Sequence, residues 1–151
     1  MSIAIVLHIL FVVIWIGGMF FAYMFLRPVA GTLLDPPVRL QLWSQIFKRF
    51  FVWVWIAVIL IPVSGHAMIM MTGGMANVGT HVHIMMVSGY LMIAIFLHVF
   101  FVPYKRLKRA VSESNWQEAG RNLYQIRLIV GINLLLGLFT IIVAAGGRYV
   151  F

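Results

Sequence analysis

The chain has 151 residues, of which 64% are hydrophobic and 9% charged, with no cysteine and a formal net charge of +8. This composition excludes an ordinary soluble domain. The lack of cysteine excludes disulfides and thiolate metal sites, so a bound metal would have to use His, Met, carboxylate or backbone ligands.

Four apolar runs, at roughly 3–26, 51–71, 82–102 and 128–147, contain no Asp, Glu, Lys or Arg. Each approaches or exceeds the ~20 residues that an α-helix needs to cross a hydrocarbon core of ~30 Å. They predict an all-α integral membrane four-helix bundle, with residues 1–151 forming one transmembrane domain. The first run lacks the positive leader of a signal peptide and is too long for its apolar segment, so it is expected to be retained as helix one.

The connection at 27–50 contains the helix breakers Pro28, Gly31, Pro36 and Pro37, followed by "VRLQLWSQIFKRF". The apolar residues of that segment recur at roughly helical spacing among Arg and Lys, which predicts an amphipathic segment lying in the membrane interface. After helix two comes "HAMIMMTGGMANVGTHVHIMM", residues 66–86, an uncharged stretch rich in His and Met that turns at Gly73, Gly74, Asn77 and Gly79. Helix three leads into a second amphipathic connection at 103–127, "PYKRLKRAVSESNWQEAGRNLYQIR", expected to hold a short helix touching headgroups. Helix four contains the polar residue Asn133, and Arg148 lies at its far end.

Charge placement orients the bundle. Arg27, Arg39, Lys48 and Arg49 fall in the first connection, and Lys105, Arg106, Lys108, Arg109, Arg121 and Arg127 in the second or at its edges. In a four-helix chain these connections share a side, which the positive-inside rule makes cytoplasmic. Both termini and the His/Met stretch are then expected on the periplasmic side of a bacterial inner membrane. The charge reads as orientation plus attraction to anionic membrane lipid, with no nucleic acid partner. A homo-oligomer is compatible with the sequence.

This topology puts His8, His66, His81 and His83 at one depth in the outer half of the bundle, and leaves His98 near the inner edge as a polar contact. Ionisable groups inside a membrane normally face the bundle interior or a cavity, which marks them as functional candidates. Helical periodicity groups His8 with Trp15 and Met19, Trp55 and Ile59 with Pro62 and His66, and His83 with Tyr90, Ala94 and Phe101. These stripes are expected to meet in the core.

Three functions follow. The first is one b-type haem held by two of His8, His66 and His83, with Trp15 alongside and Arg148 as a propionate partner. Such a site suits electron transfer or a membrane oxidoreductase, exchanging electrons with a quinone or a periplasmic redox partner. The second is copper binding or transport through the periplasmic His/Met-rich stretch, where His81, Met70, Met71 and Met75 supply the imidazole and soft thioether ligands that copper favours. The third is a structural or assembly subunit without a cofactor. A hydrolase is disfavoured, because no acidic residue lies within the apolar runs.

The first helix, "LHILFVVIWIGGMFFAYMFLRP", has a His, a Trp seven residues on, then Gly-Gly and a basic residue at its inner end. It resembles the first helix of the CopD superfamily of small integral membrane proteins, which takes in the copper-resistance protein CopD and the HemJ-type protoporphyrinogen oxidases. "THVHIMMVSGYLMIAIFLHVF" extends the resemblance to the third helix. The resemblance implies a helical bundle with an outer N-terminus and a haem b site, in which His8 matches the family's first-helix histidine and His83 the one opening the third helix. HemJ-type enzymes carry a lysine near that third-helix start. Here Met85 and Met86 follow His83, and every lysine lies in the basic connections, which argues for a CopD-like haem or copper protein rather than a porphyrinogen oxidase.

Overall fold

The computed structural model describes residues 1–150. Its helices are α1 (Ser2–Phe21), α2 (Arg27–Leu33), α3 (Pro36–Met71), α4 (Thr80–Phe101), α5 (Pro103–Ser112) and α6 (Trp116–Val150), and no strand occurs among the described residues. A π-helical turn, Ala22–Leu26, joins α1 to α2. Four stretches, Ser2–Leu33, Pro36–Met71, Thr80–Ser112 and Trp116–Val150, are long and apolar enough to cross a membrane. The protein is a multi-pass, all-α membrane bundle. One end carries the His/Met turn, and the other carries nearly all of the basic residues.

The connections are more helical than the sequence suggests. "VRLQLWSQIFKRF" continues α3 in line instead of forming a separate segment, and residues 116–127 likewise belong to α6. The reason lies in one aromatic row. Trp43, Phe47 and Phe51 recur at helical spacing and are buried, with ring centroids 5.4 and 5.2 Å apart along the row. Tyr104 of α5 closes edge-on against Phe51 at 4.9 Å. Packing therefore holds the whole of α3 in one phase. At 36 residues it is about 54 Å long, so it overshoots a hydrocarbon core of ~30 Å at the basic end. The break that the sequence does contain falls at Val102 (φ −114°, ψ −84°), immediately before Pro103, which has no N–H to continue α4.

Two helix pairs make the bundle. The closest backbone packing is of α1 on α3 and of α4 on α6, with α5 folded back on α6. By contrast α3 and α4, neighbours in sequence, hardly meet through their backbones. Aromatic side chains fill the space between them. Phe96 stands edge-on to Phe51 and to Trp55 at 5.4 Å each, and Trp55 stands edge-on to Phe100 at 5.2 Å. Such edge-to-face contacts each add about 0.5–1.5 kcal/mol beyond the area they bury. These rings lie toward the basic end of the pair. Nearer the histidine end Gly65 and Gly89 stand among methionines and aliphatic residues, and the gap is not filled.

The α4–α6 pair is tied by close approach and by hydroxyls. A Cβ on Gly137 of α6 would stand 3.0 Å from Ile16 Cδ1 and 3.1 Å from Met92 Cε, so glycine is what admits both side chains. Thr140 Oγ1 lies 2.8 Å from Ser88 Oγ, and Asn133 Nδ2 donates to the Met92 carbonyl at 3.4 Å. Overfilling the junction should therefore be costly. Gly137→Val is expected to lose about 1–3 kcal/mol, read as a lower thermal midpoint by circular dichroism in detergent; unaltered stability would show that the junction is looser than described.

Candidate functional site

The gap between α3 and α4 opens into a cavity of about 270 Å³ at the histidine end, closed on its other side by α1. His8 of α1 and His66 of α3 both line it, with Tyr90 of α4 and Thr140 of α6. Apart from Thr72, the remainder of the wall is apolar and rich in thioethers, from Met68, Met85, Met86 and Met92. Trp15 is buried and also borders a second cavity deeper in the bundle, so its indole stands between the two.

Each histidine is held by its Nδ1. His8 Nδ1 lies 3.0 Å from the carbonyl of Ile61 and 3.1 Å from Ser64 Oγ. A carbonyl only accepts, so in the neutral imidazole Nδ1 carries the proton and Nε2 keeps a lone pair. The Ser64 hydroxyl donates to the Leu60 carbonyl at 2.6 Å and is left as a second acceptor for the same N–H. Gly65 makes room for the ring: a Cβ there would stand 3.3 Å from His8 Cε1. His66 follows the same rule one turn of its own helix away, donating from Nδ1 to the Pro62 carbonyl at 2.9 Å. Its Nε2 lies 3.4 Å from the Tyr90 hydroxyl, which is the donor of that pair. Two imidazoles on different helices thus border one cavity, each with its tautomer set by an α3 carbonyl. This is the support that metal-ligating histidines ordinarily have.

The other predicted residues are placed differently. His83 is exposed and does not line the cavity, and Val87, Tyr90, Ala94 and Phe101 along the same side of α4 are exposed too. The buried face of α4 runs instead through Ser88, Met92, Phe96 and Val99, because Ser88 and Met92 are the residues engaged by α6. Only Tyr90 of the predicted α4 stripe reaches the cavity, at its mouth. Likewise Ile59 of the predicted α3 stripe is exposed; Pro62 and His66 line the cavity, His66 as an exposed residue. His81 is half-buried, its Nδ1 has no hydrogen-bond partner, and its ring lies against Gly79. Met70 and Met71 point outward, 78% and 58% exposed, and Met75 is half-buried in the turn; none of the three borders the cavity. Arg148 is exposed in the last turn of α6. Among the described residues no three His, Cys, Asp or Glu side chains come together, so a metal here would rest on the two imidazoles and the thioethers.

A family model described as "Copper resistance protein D" (CopD) matches residues 44–146, more than half of the chain. The chain belongs to the CopD family. Neither a curated protein nor a solved structure matches it. The CopD match covers α3 from Ser44 onward, α4, α5 and nearly all of α6, and so includes every lining residue of the cavity except those of α1. A CopD-family membrane protein related to copper resistance is the functional class this supports. His8, on α1, lies outside the matched range and enters the site through packing alone.

Ser64 and Thr140 are polar groups of the site that the sequence did not single out for it. Ser64, two residues before His66 and in the turn that also contains Pro62, was the one with a local signal. Imidazole ¹⁵N resonances test the arrangement directly. His8 and His66 should both appear as the Nδ1–H tautomer in the full-length protein in detergent, and an Nε2–H tautomer at either would contradict the carbonyl contacts.

Proposed function

We propose that the protein binds copper as Cu(I) in the cavity at its histidine end, with His8 and His66 supplying imidazole nitrogen and Met68, Met85 and Met86 thioether sulfur. The observation that carries this reading is the pair of carbonyl-anchored imidazoles bordering a methionine-lined cavity. Soft thioethers suit Cu(I), and imidazole suits copper in either oxidation state. Membership of the CopD family supports it independently. At about 270 Å³ the cavity lies just below the range of ~300–1,000 Å³ common for organic ligands, and no Lys or Arg lines it, so a metal ion suits it better than a large anion. With nearly all basic residues at the opposite end, the positive-inside rule supports a periplasmic cavity and periplasmic termini in a bacterial inner membrane.

A b-type haem is the second reading. It is favoured by the Nε2 lone pairs of the same two histidines, that of His66 shared with the Tyr90 hydroxyl, and by the separation of α3 and α4, which leaves an apolar flank against which a flat macrocycle could lie. Arg148, exposed at the same end, would be the cation for a propionate. In that case the site would serve electron exchange with a quinone or a periplasmic partner.

Two measurements on the purified full-length protein divide these readings. Competition with a chromophoric Cu(I) chelator should reveal one tight site, weakened about tenfold or more in His8→Ala, in His66→Ala and in a combined Met68→Leu, Met85→Leu, Met86→Leu variant. Combined Met70→Leu, Met71→Leu and Met75→Leu should leave it unchanged. Copper affinity that survives loss of His8 would refute the assignment. A sharp reduced band with dithionite, lost in His8→Ala, would establish haem in its place. The absence of both copper and haem would leave a cofactor-free structural or assembly subunit.

A further inference from the structure

A second site lies at the opposite end. There a cavity of about 330 Å³ is bordered by the π turn and α2, by the start of α3 and by the start of α6. Three guanidinium groups line it: Arg27, Arg39 and Arg127. They are also the only basic side chains withdrawn from solvent, being half-buried where every other Lys and Arg of the chain is exposed.

No carboxylate lines the cavity. Among the described residues the single ion pair is Arg121 with Glu118, at 3.2 Å on the outside of α6. What the three guanidiniums do contact is weak. Arg27 lies over the Tyr23 ring at 4.7 Å, Arg127 over the Tyr124 ring at 5.5 Å, and Arg39 donates to the Gly31 carbonyl at 3.4 Å. A guanidinium has five N–H donors and no acceptor, so most donors in this cluster are unspent. Partly burying like charges together is unfavourable unless an anion joins them.

The position in the chain identifies the kind of anion. Arg27 is the first charged residue after the apolar run of α1, and Arg127 is the last before that of α6, so both mark the level at which a membrane-spanning helix meets headgroups. Trp43 and Trp116 border the same cavity, as aromatic residues do at membrane interfaces. Its inner wall is apolar, through Phe47, Ile126 and Val130. A cluster of arginines above apolar walls at this depth fits a phosphate group carrying acyl chains.

We propose that this cavity is a specific site for one anionic phospholipid, its phosphate held by Arg27, Arg39 and Arg127 and its chains lying along the apolar wall. The lipid fastens α1 and α2 to α3 and α6 where their backbones leave a gap. Native mass spectrometry of the full-length protein in detergent, titrated separately with phosphatidylglycerol, phosphatidylcholine and inorganic phosphate, tests this. One phosphatidylglycerol should be retained at least about tenfold more tightly than phosphatidylcholine. Combined Arg27→Gln, Arg39→Gln and Arg127→Gln should weaken it about a hundredfold, on about fivefold per arginine, whereas combined Lys48→Gln, Arg49→Gln and Arg106→Gln should weaken it by no more than about threefold, as expected for screened surface charge. Equal retention of the two lipids by the unmodified protein overturns the proposal without recourse to any variant, as does equal weakening by the two sets of substitutions. Inorganic phosphate bound as tightly as phosphatidylglycerol overturns it in favour of a soluble anion.

Discussion

The separation of α3 from α4 governs the histidine end of the molecule. Two helices joined by a short turn would ordinarily pack against each other. Here Phe51 and Trp55 on one and Phe96 and Phe100 on the other meet ring against ring and hold the backbones apart. Each helix finds its close partner elsewhere, α3 in α1 and α4 in α6. In lipid, where no hydrophobic force drives helices together, such fits of ring, glycine and hydroxyl decide who packs on whom. Above the rings the pair is bridged more loosely, by His66 and Tyr90 with ring centroids 6.1 Å apart, and the gap beside them is the histidine cavity.

The cavity joins soft donors to well-supported imidazoles. His8 reaches across from α1 to the Ile61 carbonyl, and His66 folds back onto the Pro62 carbonyl of its own helix. One helix, α3, therefore orients both rings. Anchoring through Nδ1 leaves the Nε2 lone pairs facing a wall made largely of methionine and aliphatic side chains. The Tyr90 hydroxyl beside His66 Nε2 supplies a polar contact at the mouth. This is a chemistry of neutral ligands, suited to a soft cation in an apolar setting, and it needs no carboxylate.

The opposite end has the reverse character. Its cavity is lined by guanidinium groups and aromatic rings, and the extended α3, with α2 continuing α1 and α5 packed on α6, builds a platform there beyond the apolar runs. The π turn at Ala22–Leu26 accompanies the entry of Pro28, whose missing N–H leaves a carbonyl in the preceding turn without its usual partner. Tyr23 within that turn packs where Gly131 of α6 has no side chain, with ring carbons and hydroxyl 3.0–3.3 Å from where a Cβ would sit. Arg27 lies over the same ring at 4.7 Å. A local irregularity in α1 is thus fitted to a glycine in α6, and together they set one wall of the basic cavity.

By itself the sequence determined the all-α class, the four crossings and the sorting of basic residues to one end, because the length of an apolar run and the absence of charge within it are properties of the chain alone. It also brought His8 and His66 forward, since an imidazole within an apolar run stands out wherever the helix points. Tertiary structure decided which faces turned inward. Helices that are apolar all round have no polar face to mark the outside, so periodicity could not tell that Ser88 and Met92, and not His83, lie on the buried side of α4, or that Met68, Met85 and Met86 enter the cavity while Met70 and Met71 point away. Nor could it show that the first connection would stand in line with α3, because that depends on Tyr104, more than fifty residues away, closing over the aromatic row. Those choices were made by ring contacts and glycine gaps between helices distant in sequence, which no local pattern records.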